Sequence, residues 1–346
     1  MNPEDAFKLV ETGRQEQIYI GRQIKNRFKK FFENPSVLDE SEFRPTSERR
    51  NRDSAKAFLT GLFDENTAKN ITLKEPPQND TLLRFYRHCD KYEATVSNKS
   101  LVEYDKFIKR PEIAEVLRKV TRKLGKNSQI SFNTLKLLHE SCSFEYGIYG
   151  DAPWCSLLEP NDLDVLEYAN DLQSFWRDSY PHKISYEQTC ELTRDIWKKL
   201  SLAKSGSKQK IVGRWTHLPA INMLYTRLGL FKDEKQLLHS NYKEHLKRKW
   251  KMTLISPMSC NIAFVLLRCD TNYKVRVYHN EKTIKLEGIC KEIDCDWNEI
   301  EKVFKPISDN CNFEKICKVD KNSSENLIFY SKIIIILPFL MKYLLI

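Results

Sequence analysis

Ile211-Val-Gly-Arg-Trp-Thr-His-Leu-Pro-Ala-Ile-Asn-Met-Leu-Tyr-Thr-Arg-Leu-Gly-Leu-Phe-Lys-Asp233 reads as a short strand, a single histidine and an apolar helix closed by Gly229. This order puts His217 at the carboxyl end of a strand and the start of a helix. Ligands and catalytic groups collect there in α/β folds. Two residues on, where an acid could work beside the imidazole, stands Pro219. The segment has the frame of an active site and lacks its proton donor.

The chain has 346 residues, of which 41% are hydrophobic and 30% charged, enough for a sizeable core in one or two domains. Its net charge of +10 invites an anionic partner. The basic residues are dispersed over Arg22 to Lys30, Arg44 to Arg52 and Lys243 to Lys251, with no zinc-finger, RNA-binding or basic-zipper signature. Solvated helix faces and a basic cleft for a small phosphorylated ligand are therefore expected, and nucleic acid is not.

Ten cysteines without a CxxC pair argue against zinc or thioredoxin chemistry. Asn-x-Ser/Thr sequons stand at Asn70, Asn79, Asn98 and Asn322. Cysteines and sequons together point to the secretory pathway and to disulfides. Met1-Asn-Pro-Glu-Asp-Ala-Phe-Lys8 is not a signal peptide, because no apolar run follows a basic start. At the other end, Leu327 to Ile346 is long and apolar enough to suggest membrane attachment, though Lys332, Lys342 and Pro338 interrupt it. A tail anchor, a removable lipid-anchor signal and sequence without a membrane role all remain open for it.

Helical spacing runs from Phe7 to Phe32, where Asn34-Pro35 stops it, and again from Ser54 to Phe63. Nearly every segment from there to Leu202 reads helical: Thr81 to Tyr92, a helix opened by Pro111, Ser131 to Cys142, Asp162 to Tyr180 and Tyr186 to Leu202. Lys204 to Lys210 is a polar linker. Beyond it, Asn261 to Arg268 reads as a strand buried on both faces. Tyr273 to Tyr278 alternates, and Asn280-Glu281 turns it into a hairpin with Thr283 to Leu286. The expected fold class is α/β, with a platform built from both ends of the chain and a helical insertion between them. The expected divisions are 1–62 for the first part of the platform, 63–204 for a helical cap, 205–318 for the second part, and 319–346 for a linker and hydrophobic tail.

Several stretches carry a resemblance when taken in order. They are Glu11-Thr-Gly-Arg-Gln-Glu-Gln17, Arg50-Asn-Arg-Asp-Ser-Ala-Lys-Ala-Phe-Leu59, Asn79-Asp-Thr-Leu-Leu-Arg-Phe-Tyr-Arg-His-Cys-Asp-Lys-Tyr92, Pro153-Trp-Cys155 and Leu166-Glu-Tyr-Ala-Asn-Asp-Leu172. Thr216-His-Leu-Pro219, Gly229-Leu-Phe-Lys-Asp233 and Cys260-Asn-Ile-Ala-Phe-Val-Leu-Leu-Arg-Cys269 complete the set. Together they resemble the multiple inositol polyphosphate phosphatases, in the phytase-like branch of the histidine acid phosphatases, over about Glu11 to Cys311.

The resemblance implies a histidine-phosphatase sandwich with a helical cap, acting on inositol polyphosphates or other phosphomonoesters without a cofactor. In such enzymes the histidine of an Arg-His-Gly motif attacks phosphorus. This sequence has no Arg-His-Gly, and the strand bearing it is expected ahead of Met1. Arg50 matches a phosphate-binding arginine, whose planar fork suits phosphate oxygens; apart from the resemblance it reads as a surface arginine. His217 matches the second histidine, which hydrogen-bonds the phosphate; by itself it reads as a satisfied strand-end histidine. The acid that should follow it is replaced by Pro219. Asp233 and Glu234, the nearest carboxylates along the chain, lie beyond a whole helix.

The same resemblance pairs Cys142 with Cys155 and Cys89 with Cys311. Cys290 and Cys295 are close enough in sequence to form a small loop, the resemblance matches Cys269 to a cysteine whose partner is not in this sequence, and Cys190, Cys260 and Cys317 stay unassigned. Two readings follow: a phosphatase of this type that is impaired as it stands, or a pseudophosphatase that binds inositol phosphates or other anions without turnover.

Overall fold

The computed structural model describes residues 8–97, 99–208 and 210–319. Strand β1 (Ser41–Pro45) pairs in parallel with β2 (Ile211–Trp215), running from Ser41 opposite Ile211 to Pro45 opposite Trp215. Backbone bonds extend the ladder at both ends, Lys210 N to Glu40 O at 2.6 Å and Thr46 N to Trp215 O at 3.0 Å. Parallel neighbours require a long crossover. Here it is the entire helical insertion, which stands between the two paired strands, while the later strands form a separate four-stranded sheet.

Helices α1 (Glu11–Arg27) and α2 (Arg49–Leu62) pack beside these strands over a core of Phe43, Ala55, Leu59 and Leu62. Gly21 and Gly61 let the helix backbones meet: a Cβ on Gly61 would lie 1.9 Å from Ile18 O. The insertion then runs through α3 (Pro111–Lys123), α4 (Phe132–Tyr149), α5 (Pro160–Asp178) and α6 (Cys190–Lys204). Pro111 and Pro160 each sit in a first turn, where a missing N–H breaks no helix bond. After β2 come α7 (Leu218–Arg227), β3 (Ile262–Cys269), β4 (Asn272–His279), β5 (Lys282–Ile284), β6 (Asp294–Asp296) and α8 (Trp297–Asp309). Asn280 and Glu281 both take positive φ, the conformation a two-residue hairpin turn needs, and His279 pairs with Lys282 across it.

Three differences from the sequence reading have physical causes. Thr81–Tyr92 is not one helix but turns, a 3-10 turn at Phe85–Arg87 and a short helix at Asp90–Tyr92. Asp80 Oδ1 accepts from Leu83 N at 3.0 Å and pairs with Arg44, which holds the start of this segment in a turn. Leu83, Phe85, Tyr86, Cys89 and Tyr92 are all buried, so the apolar spacing reported burial rather than helix. Strand β3 is half-buried over Ile262–Leu267 rather than enclosed. Among the described residues its one partner is β4. Finally, Tyr186–Leu202 is broken, a short helix at Lys183–Glu187 preceding α6.

The cores cut across the divisions read from the sequence. Leu83, Phe85 and Tyr86, together with Trp197 and Leu200 of α6, pack with α7, β4 and α8. Leu237, Trp250 and Ile255 instead close the helical core around Phe107, Tyr168 and Leu172.

Four disulfides join described residues: Cys89–Cys317, Cys142–Cys155, Cys190–Cys311 and Cys290–Cys295. The expected Cys89–Cys311 pairing is thereby corrected. Cys311 directly follows α8, which packs along α6, and Cys190 opens α6. The short helix Phe313–Cys317 then brings Cys317 to Cys89. Cys260 and Cys269 are free thiols. Asn70 and Asn79 are exposed, while Asn98, Asn322 and the 327–346 segment lie outside the described residues. No described helix is long and apolar enough to cross a membrane.

Candidate phosphate-binding site

The register of β1 on β2 builds the site. Pro45 lies opposite Trp215, so the next residues, Thr46 and Thr216-His217, emerge side by side at the carboxyl ends of two parallel strands. Both strands lead into helices there, α2 from Arg49 and α7 from Leu218. Two helix N-termini thus lie at these strand ends, the position where α/β folds place anions.

His217 Nε2 lies 3.1 Å from Thr46 Oγ1. Asn51 Nδ2, buried in the first turn of α2, donates to that same hydroxyl at 2.9 Å and to Thr216 O at 3.0 Å. With Asn51 donating to it, the Thr46 hydroxyl has its own proton to give to His217. We assign the proton of the neutral imidazole to Nδ1, which leaves Nε2 as the acceptor.

The surroundings favour the neutral ring. Burial first, then the guanidiniums of Arg50 and Arg84, push the His217 pKa down to about 4, with Glu48 opposing them. In the unfolded chain the imidazole titrates near its usual 6.5. Between these values the unfolded state binds a proton that the folded state does not, so stability falls as pH drops from about 6.5 toward 4. The His217 ring proton resonances should accordingly titrate near pH 4, and Arg50→Ala should move that midpoint upward. A midpoint at or above 6.5 would contradict the described environment.

Glu48 sits at the N-cap of α2 without capping it. Its carboxylate lies 3.0 Å from Arg84 Nη1 and 3.7 Å from Arg50 Nη1. Arg84 reaches this point because its segment is tied down by Asp80 and by the Thr216 hydroxyl, which donates to Leu83 O. The site therefore brings together the two residues expected from sequence, Arg50 and His217, and adds Thr46, Glu48, Asn51 and Arg84. Register arithmetic could have found Thr46. Nothing local in the sequence marks Arg84.

Pro219 lies in the first turn of α7, where a proline suits helix initiation. Asp233 is used elsewhere, accepting from Lys249 N at 2.7 Å and Trp250 N at 3.0 Å. His182, His239 and His279 contact Trp176, Glu103 and the Ile255 carbonyl respectively.

The histidine phosphatase superfamily (branch 2) matches residues 3–280, and the chain belongs to that superfamily. Within it the chain is similar to multiple inositol polyphosphate phosphatase 1 of Gallus gallus, 29% identical over 92% of this chain and 73% of that protein. The Homo sapiens protein of the same name is 28% identical over 92% of this chain and 69% of its own length. Among solved structures, the phytase from D. castellii superposes with a TM-score of 0.71 at 16% identity, covering 90% of this chain and 67% of that one. The multiple inositol polyphosphate phosphatase of Bifidobacterium longum, in complex with inositol hexasulfate, gives a TM-score of 0.63 at 13% identity over 82% of this chain and 75% of that one.

Proposed function

We propose that this chain binds inositol polyphosphates or other phosphomonoesters at the Arg50–His217 pocket, as a phosphatase of the multiple inositol polyphosphate type whose turnover is impaired. The observation that carries the reading is a half-buried His217, 3.1 Å from Thr46 Oγ1 where two parallel strands end, in the field of Arg50 and Arg84. Guanidiniums bind phosphate oxygens through paired N–H groups, and a neutral imidazole adds one directed donor. The net charge of +10 favours encounter with a dense polyanion.

Impairment follows from the residues themselves. Hydrolysis by phosphohistidine needs an acid to protonate the leaving alkoxide, and Pro219 has no proton to give. Losing such an acid typically costs ~10²–10⁴-fold in rate. Pro219 favours the second reading as well, a pseudophosphatase that binds without turnover. Disulfides and the exposed sequons at Asn70 and Asn79 support an oxidising, secretory setting.

Titration with phytate, followed by phosphate release, separates these readings. Binding is expected, weakened about tenfold or more by Arg50→Ala, as loss of a charge-assisted hydrogen bond predicts. Phosphate release should be at or near the enzyme-free blank. Absence of binding would remove the pocket reading. Release far above the blank that is lost in His217→Ala would remove the impairment.

A further inference from the structure

The pocket already holds an anion of its own. Arg50 and Arg84 come from different elements, yet one carboxylate, Glu48, approaches both, Oε1 toward Arg84 and Oε2 toward Arg50. Arg84 is not a surface arginine that happens to lie near. Its segment is fixed by Asp80 and Thr216, and its Nε is buried without a hydrogen-bond partner. A buried guanidinium N–H left unpaired costs free energy, so this arginine is held in place by its segment rather than by that atom.

We propose that Glu48 is a built-in competitor for the phosphate site and that Arg84 is a second phosphate-binding arginine beside Arg50. A ligand phosphate displaces the Glu48 carboxylate and takes its place between the two guanidiniums. This rests on the phosphate-binding reading above and goes beyond it by naming what the ligand must displace. A carboxylate offers two oxygens in one plane, whereas a phosphate monoester offers three in a tetrahedral array. Only the phosphate can engage Arg50, Arg84 and the His217 ring together.

Displacement is feasible because the Glu48 side chain is about one-third exposed and can turn outward into water. Ion pairs with that exposure contribute little to stability. The competitor therefore discriminates. A singly charged carboxylate ligand gains little by replacing Glu48, while a multiply charged phosphate ester gains charge and geometry at once.

Calorimetric titration with phytate tests this on the full chain, with thermal melts verifying that each variant is folded. Glu48→Gln keeps the side chain's shape and removes its charge, and should bind about tenfold tighter. Glu48→Ala removes the amide donors that glutamine would present to the arginines, and should also bind tighter. Arg84→Ala should bind about tenfold more weakly. If both Glu48 variants bind no tighter than the parent, the competitor role is overturned. If Arg84→Ala binds as the parent does, the second-arginine role is overturned. In either case binding by the parent that Arg50→Ala weakens leaves the phosphate pocket standing. If neither the parent nor the Glu48 variants bind, the pocket falls and this inference with it.

Discussion

Gly61→Val is expected to destabilise the protein by about 3 kcal/mol or more and to disorder the candidate phosphate site with it. Helices α1 and α2 cross at backbone contact distance. A Cβ on Gly61 would lie 1.9 Å from Ile18 O and 2.7 Å from Ile18 C, and one on Gly21 would lie 2.3 Å from Phe58 O. These neighbours are main chain, which cannot rotate aside as a side-chain tip would, so one helix has to move. Even Gly61→Ala should lose, because the helix-propensity gain of about 1 kcal/mol is smaller than the cost of separating two packed helices. Gly147 in α4 is the internal control, because a Cβ there would meet nothing within 4 Å. Gly147→Ala should be neutral or slightly stabilising, since propensity acts there alone. Urea unfolding of the three variants reads the effect, and equal midpoints for Gly61→Ala and Gly147→Ala would refute the close crossing. The consequence reaches the site because α2 carries Arg50 and Asn51 in its first turn.

How far the site could be read beforehand depends on how local its parts are. The strand–histidine–helix order of Ile211–Asp233 is carried by consecutive residues, and so is the hairpin at Asn280-Glu281. Both were legible for that reason. His217 stands out by its strand-end position alone, whereas Arg50 and its link to His217 came from the resemblance, because only a family pattern links residues so distant in sequence. Thr46 follows once the register of β1 against β2 is known, but register is a tertiary fact. Arg84 was hidden more deeply. Its segment shows helical apolar spacing and is not one helix, since the Asp80 side chain bonds Leu83 N and fixes a turn. Disulfide pairing failed for the same kind of reason. Cys311 and Cys317 lie six positions apart, and α8 packed along α6 decides which of them meets Cys89.

Arg248→Leu should be the most damaging single change in the helical part, costing roughly 3–5 kcal/mol. Arg248 and Asp171 are both almost wholly buried, and Arg248 Nε donates to Asp171 Oδ2. The other carboxylate oxygen accepts from Met252 N at 2.9 Å. This carboxylate therefore anchors the Arg248–Met252 stretch on α5. That stretch continues to Ser256, whose hydroxyl bonds Asn222 Oδ1 of α7 at 2.6 Å, behind the helix that begins at His217. Removing Arg248 leaves a buried carboxyl without its counter-charge. Burial already pushes Asp171 up to about 7 while Arg248 pulls it down, so without the arginine it rises further. A carboxyl whose folded pKa exceeds its unfolded value loses stability as pH rises from about 4 through the folded value. The variant should therefore be less damaged at pH 5 than at pH 8. Replacing both partners, Asp171→Leu with Arg248→Leu, should recover much of the loss, because a buried pair exchanged for apolar groups is often near neutral. Urea midpoints for the single and double variants at the two pH values decide the matter. A double variant as unstable as Arg248→Leu alone would show that Asp171 is not the group left unpaired.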